Sequence, residues 1–304
     1  MITILFIILF LIVIIIYYLR NNLIENFDDL FEDHEKYEEI YDNEFINLYE
    51  IIYRDFSDPK YDTGILYSKI KNDLNEKSKI LVCGSGVGRL CKQIKENYID
   101  IIGLDISQNM LLKAQTLYPN IKFVRGDMIK SNIFKKDTFD LIMMDERSLY
   151  YNKPENFDLI IANIHNWLKG DGYFAIPIYD PEKLQLAARY YTSKYMDDKG
   201  NFHGFTYLND FSHDCYYIKE EENSDIFHYY DKVIFDNGMK RIKKTTFYIP
   251  PKEKVYDIIL KNGFDLVYIE KIRIQVVGGY EFAIFKKKKN VSTVHELENK
   301  KNNS

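Results

Sequence analysis

A chain of 304 residues that is 46% hydrophobic has enough apolar material for one large core or two ordinary ones, which excludes a disordered or low-complexity protein. A net charge of −5 argues against a nucleic-acid partner, because phosphate backbones are held by clustered Lys and Arg. The three cysteines (Cys83, Cys91 and Cys215) are odd in number and lack the spacing of a disulfide framework or a zinc site, which fits a reducing compartment.

The chain opens on "MITILFIILFLIVIIIYYL", nineteen residues without a charge. As a helix rising ~1.5 Å per residue they would cover roughly the 30 Å hydrocarbon core of a bilayer. No basic n-region or small-residue cleavage site marks a signal peptide, so residues 1–20 are expected to be a single-pass anchor, with the following domain on the cytosolic side. Residues 21–44 are strongly acidic and read as a solvated linker. Phe45, Tyr49, Ile52 and Tyr53, and then Tyr61, Ile65, Ile70 and Leu74, recur at helical spacing.

From Lys79 strands and helices alternate. "KILVC" reads as a buried strand, "RLCKQIKENY" as a helix, "DIIGLD" as a strand, and "SQNMLLKAQTLY" as a helix capped by Ser107. "IKFVRGD" and "FDLIMMD" follow as strands, then "NFDLIIANIHNWLK" as a helix stopped by Gly170 and Gly172, then "GYFAIPIY" as a strand. Short apolar strands separated by helices predict a parallel sheet covered on both faces. Between about 180 and 249 the pattern turns antiparallel, with Asn237-Gly238 as a hairpin signal, and reads as a lid insertion; "RYYTSKYM" within it reads as helical. "PPKEKVYDIILKNGF" returns to a helix, "DLVYIEKI" and "EFAIFKK" are final strands, and residues 288–304 read as a disordered tail.

The chemistry concentrates at three successive strand tips. Gly84, Gly86 and Gly88 follow the first strand and lead into a helix, where a ligand can approach the main chain without meeting a Cβ. Their spacing is G-x-G-x-G, which departs from the dinucleotide fingerprint. Asp105 ends the second strand, placed to accept hydrogen bonds from both hydroxyls of a ribose. Asp127 ends the third, where a carboxylate can accept from an exocyclic adenine amine.

"ILVCGSGVGRL", "GLDISQNMLLKAQ", "VRGDM", "FDLIMMDERSLYY" and "WLKGDGYFAI" resemble, in order and spacing, the motifs of class I S-adenosylmethionine-dependent methyltransferases. The resemblance implies an α/β, Rossmann-like fold with a seven-stranded sheet, helices on both faces and an antiparallel lid. On this likeness the methyltransferase domain runs over 45–287. S-adenosylmethionine is the implied cofactor. Gly84, Ser85, Gly86 and Gly88 would lie against its methionine and ribose parts, Asp105 and Ile106 at the ribose and adenine, Asp127 and Met128 at the adenine, and Asp145 in the loop facing the methionine end and the acceptor.

One departure stands out, because the family commonly has an acid two residues before the first glycine and this chain has Val82. Asp145 or Glu146 is the expected substitute as counter-ion of the cofactor's ammonium group. The alternatives are an inactive membrane-tethered scaffold of the same fold, which the loss of that acid would favour, or a nicotinamide-dependent oxidoreductase. The insertion resembles the lid of small-molecule N-methyltransferases, which implies a small-molecule acceptor; the anchor also allows a lipid one. The lid tyrosines (Tyr190, Tyr191, Tyr195, Tyr207, Tyr216, Tyr217, Tyr229 and Tyr230) are candidates for an aromatic pocket around a cationic amine. Against that, tyrosine is abundant throughout, at 26 residues. His203, His213 and His228 are candidate bases by location alone, no catalytic residue is assigned, and no metal site is expected.

Overall fold

The computed structural model describes residues 46, 60–98, 100–144, 146–181, 193–196, 202–208, 211–221, 224–236, 238, 240–273 and 279–289. The elements in chain order are α1 Lys60–Ile70, β1 Lys79–Cys83, α2 Arg89–Ile94, β2 Asp100–Asp105, α3 Gln108–Leu117, β3 Lys122–Arg125 and β4 Phe139–Met144. Then come α4 Phe157–Trp167, β5 Leu168–Tyr179, β6 Ser193–Met196, β7 Phe202–Leu208, β8 Phe211–Lys219, β9 Ile226–Phe235, β10 Lys240–Tyr248, α5 Lys252–Lys261, β11 Phe264–Arg273 and β12 Gly279–Lys287.

Seven strands form one sheet in the order β11-β12-β5-β4-β1-β2-β3. Strands β1 to β5 run parallel, while β12 is antiparallel to β5 and β11 to β12. Alternation along β1 explains why this sheet is covered twice. Leu81 and Cys83 face a core closed by Ile160, Ile161, Ile164 and Trp167 of α4 and Ile259 of α5. Ile80 and Val82 face the opposite core, closed by Leu66 and Ile70 of α1 and Leu90, Cys91 and Ile94 of α2. The order reverses between β1 and β4, and ligands of doubly wound sheets bind at the carboxyl ends of the strands beside such a reversal. Ser107 caps α3 as expected, its side chain accepting from Met110 N.

The insertion is a second sheet, an antiparallel meander in the order β10-β9-β8-β7-β6. The β9–β10 hairpin turns through Gly238 at φ +84°. "RYYTSKYM" is not helical where it is described: Ser193–Met196 is the edge strand β6, whose backbone groups find partners on β7. Tertiary pairing overrides the local pattern there. The first predicted helix is represented by Ile46, buried with Val87 and Met110. The expected anchor at 1–20, the linker at 21–44 and tail residues 290–304 lie outside the described residues, and no helix among the described residues is long and apolar enough to cross a membrane.

The lid is fastened to the main sheet at Tyr150, which is wholly buried. The Tyr150 carbonyl accepts from Tyr248 N at 2.8 Å, and its hydroxyl accepts from Tyr179 N at 3.1 Å. Burial pushes the phenol well above its ordinary pKa, so the group stays a neutral hydroxyl. Tyr150→Phe leaves the Tyr179 N–H without its acceptor, at a cost of about 1–2 kcal/mol. Urea denaturation should show this as a lower midpoint at unchanged slope.

Candidate functional site

The glycine loop is shaped by the tip of β2. Gly84 N and Ser85 N both donate to Leu104 O, at 2.8 and 3.0 Å. Gly86 N donates to Asp105 Oδ2 at 2.8 Å, and Ser107 N donates to Oδ1 of the same carboxylate at 2.9 Å. One acid thus holds both the loop after β1 and the turn before α3. Gly84, Gly86 and Gly88 have φ of +70°, +51° and +85°. Their reasons for being glycine differ. A Cβ at Gly84 would lie 1.8 Å from Ser148 Oγ, whereas one at Gly86 would meet no atom within 4 Å and would project into open space. Gly88 caps α2, and a Cβ there would strike the Phe123 ring at 2.7 Å, so its requirement is packing beneath the loop.

The open space is a pocket at the carboxyl ends of β1, β2, β3 and β4. The glycine-loop wall is Gly84, Ser85, Gly86, Val87 and Arg89. Asp105 and Ile106 from β2's tip, and Gly126, Asp127 and Met128 after β3, form the next walls. Seven of the expected cofactor residues therefore meet around one cavity: Gly84, Ser85, Gly86, Asp105, Ile106, Asp127 and Met128. Gly88 lies beneath it, and Asp145 lies outside the described residues. Burial pushes the Asp105 carboxyl above the usual aspartate value, while N–H groups of Ser107, Gly86 and Ile106 pull it the other way. Asp127 Oδ1 accepts from Ile129 N at 3.0 Å, which fixes that carboxylate at the pocket edge.

The last wall is the loop after β4, with Glu146, Arg147, Ser148, Tyr151 and Asn152. Of these only Glu146 was anticipated from the sequence; no spacing signal marks the others. Glu146 has φ +37°, unusual for a residue with a Cβ. Its Oε2 lies 3.8 Å from Arg147 Nη2. Val82, which occupies the family's usual acid position, is wholly buried in the core under α1 and α2 and reaches no part of the pocket.

Lid aromatics approach this loop. The Arg147 guanidinium sits 5.2 Å from the Phe247 ring centroid and 5.8 Å from that of Tyr229, and Tyr151 packs on Phe247 at 4.7 Å. Among the tyrosines expected to form an aromatic pocket, Tyr229 is seen beside the site through Arg147; Tyr230 is buried on β9 and is not among the pocket-lining residues, Tyr190 and Tyr191 lie outside the described residues, and Tyr195, Tyr207, Tyr216 and Tyr217 are placed only as strand positions. Of the candidate bases, His213 is wholly buried and 2.5 Å from Asp231, and His228 Nδ1 is 3.2 Å from Thr246 Oγ1. Neither lines the pocket, and His203 is placed only as a position on β7. Among the described residues no cluster of His, Cys, Asp or Glu could hold a metal ion.

The sheet order, the glycine loop and the acids at two neighbouring strand tips define the fold of the class I S-adenosylmethionine-dependent methyltransferases. Residues 80–172 match the family model described as "Methyltransferase domain". The chain is 32% identical over 146 residues to phosphoethanolamine N-methyltransferase of Plasmodium falciparum, an overlap covering 46% of this chain and 53% of that one. The chain thus spans about half the length of this curated relative. A solved S-adenosylmethionine-dependent methyltransferase from Clostridium acetobutylicum superposes with a TM-score of 0.63 at 16% identity, covering 81% of this chain and 99% of that one. The S-adenosylmethionine-bound amino pentose methyltransferase CalS10 from Micromonospora echinaspora gives 0.62 at 14% identity, covering 79% and 97%.

The residues around this pocket fit S-adenosylmethionine. The space a Cβ at Gly86 would enter is free, the Asp105 carboxylate is already oriented by two backbone donors, and Asp127 stands on the next strand tip.

Proposed function

We propose that this chain transfers the methyl group of S-adenosylmethionine to the nitrogen of a small amine. The observation that carries the reading is a single pocket where the glycine loop, Asp105 and Asp127 face the loop Glu146–Asn152, with lid aromatics standing beyond. The choice of nitrogen is supported by a relative named for phosphoethanolamine and a neighbour in fold named for an amino pentose. Tyr151, Tyr229 and Phe247 add an apolar surface suited to an amine that carries methyl groups.

The cofactor, when bound, supplies a methyl group already activated on a sulfonium. The chain's part is to hold a lone pair in line with it and to exclude water. Such alignment is worth up to ~7–11 kcal/mol. A base is required only if the amine arrives protonated. Asp105 holds the ribose hydroxyls and Asp127 the adenine amine, while Glu146 takes the place of the absent strand acid as counter-ion to the cofactor's ammonium group.

Glu146 is nearly half exposed, with 44% of its side chain accessible, so its contribution is screened. Glu146→Gln should weaken S-adenosylmethionine binding by about threefold to fivefold, on the order of 0.6–1 kcal/mol, by calorimetry. An unchanged affinity would remove Glu146 from this role. For the reaction itself, the full chain is incubated with methyl-labelled S-adenosylmethionine and, separately, phosphoethanolamine, amino sugars, and lipid and protein fractions. Label on an amine supports the proposal. Cofactor binding with no transfer to any acceptor favours the scaffold reading instead.

Residues 1–20 as a membrane anchor, with the domain on the cytosolic side, belong to the same proposal. Its support is the uncharged run itself. Release of the full chain from membranes by alkaline carbonate would remove it.

A further inference from the structure

The turn after β4 runs from the glycine loop to the lid. At one end Ser148 lies so near that loop that its Oγ is 1.8 Å from where a Cβ on Gly84 would stand. At the other, Tyr151 packs on Phe247 of β10, with ring centroids 4.7 Å apart. Asn152 lies in this same wall of the pocket. Its amide is oriented by the turn itself, because Nδ2 donates to Ser148 O and to Leu149 O, each at 3.2 Å. The donor end is thus spent on backbone, and the other end is Oδ1, which can only accept. No described residue donates to Oδ1.

A neutral acceptor suits one task in amine methylation. The attacking nitrogen must keep its lone pair on the methyl carbon, and an N–H held to one side fixes that direction. As the N–C bond forms, the C–S bond breaks and its electrons pass to sulfur. The nitrogen becomes positive, so its N–H bonds to the oxygen more strongly than before the reaction. The surplus proton stays on the ammonium product until solvent takes it. A carboxylate in the same place would also favour the protonated amine, which has no lone pair to give.

We propose that Asn152 Oδ1 accepts an N–H of the acceptor amine and aligns it, so that this chain methylates primary and secondary amines in preference to tertiary ones. The assignment rests on the amine reading above. Its rivals give Oδ1 the cofactor's ammonium group, or leave Asn152 as a brace of its own turn, and either would act on every acceptor alike.

The test measures kcat for labelled methyl transfer by the full chain, saturated with S-adenosylmethionine, to phosphoethanolamine and its N-methyl and N,N-dimethyl derivatives. As neutral amines the first two carry an N–H and the third does not. Asn152→Leu should lower the ratio of kcat on the primary amine to kcat on the tertiary one by about tenfold, the worth of one hydrogen bond. Any effect on the cofactor is common to the three acceptors and cancels in that ratio. Asn152→Asp keeps an oxygen acceptor but cannot donate to Ser148 O or Leu149 O. It should hold the ratio within about threefold at the high-pH plateau, with the rising limb of kcat moved to higher pH by the carboxylate. Circular dichroism checks that both variants fold. An equal loss on all three acceptors in Asn152→Leu, an unmoved pH limb in Asn152→Asp, or faster transfer to the tertiary amine by the unsubstituted chain would overturn the proposal. Cofactor binding without transfer to any of the three would overturn the amine reading for this series, and this assignment with it.

Discussion

Asp105→Ala is expected to weaken S-adenosylmethionine binding by about two orders of magnitude, close to 2.7 kcal/mol, measured by calorimetry on the full chain. Two effects add. The ribose hydroxyls lose a charged acceptor, and Gly86 N and Ser107 N lose the oxygens that hold the glycine loop against β2. Asp105→Asn should fall between, because an amide replaces one of those oxygens with a donor that faces an N–H. The carboxylate also sets a pH dependence. Burial raises its pKa, and only the ionised form can accept from both hydroxyls, so affinity should begin to fall at a higher pH on acidification than an ordinary aspartate would give. In the cofactor-free chain the sign reverses. A raised pKa contributes stability that is fully present below the unfolded-state value and is lost as pH rises through the folded-state value. Burial thus disfavours the ionised carboxylate in the cofactor-free chain, a penalty that hydrogen bonds from the proposed ribose hydroxyls would offset.

Among the described glycines whose surroundings are known, Gly84→Ala should be the most damaging single methyl. The new Cβ would sit 1.8 Å from Ser148 Oγ and 2.4 Å from Ser148 Cβ, at a φ of +70°. Overpacking of this kind costs about 1–3 kcal/mol and the left-handed backbone about 1–2 kcal/mol more. Thermal unfolding should register the sum, and cofactor binding should be lost with it as the two loops are forced apart. Because the clash is with one side chain, Ser148→Gly in the same chain should recover the packing part and leave the backbone part. Failure of the double variant to regain stability would mean that the loops touch elsewhere.

The strand tips were legible because each rests on a local rule. Glycines after a buried strand, Ser107 at a helix start and acids ending β2 and β3 are all written within a few residues of where they act. Gly88 shows the limit of that rule. It looks like its neighbours in sequence, yet its requirement comes from Phe123 and Tyr118, which approach from β3 and from the end of α3. The wall after β4 was less legible still. Arg147 acquires its setting from Tyr229 and Phe247, eighty and a hundred residues away, and no periodicity connects them. The strand β6 was misread for a related reason, since "SKYM" is suited to either state and the pairing with β7 decides. Val82 is the instructive departure. Its side chain packs in the core with residues of α1 and α2, so it answers to the core, and under the proposed function the counter-ion comes from Glu146 instead.

The lid leaves the main sheet at the end of β5 and returns just after β10, and both crossings are tied to one residue, Tyr150, through Tyr179 and Tyr248. Beyond these two tethers the lid packs on the platform through Phe247 against Tyr151 and Arg147, so an exchanged module would have to keep the tethers and match that packing. Grafting of a foreign lid between β5 and α5, with Tyr150 and that packing retained, is thus a natural route to new acceptors on an unchanged cofactor site.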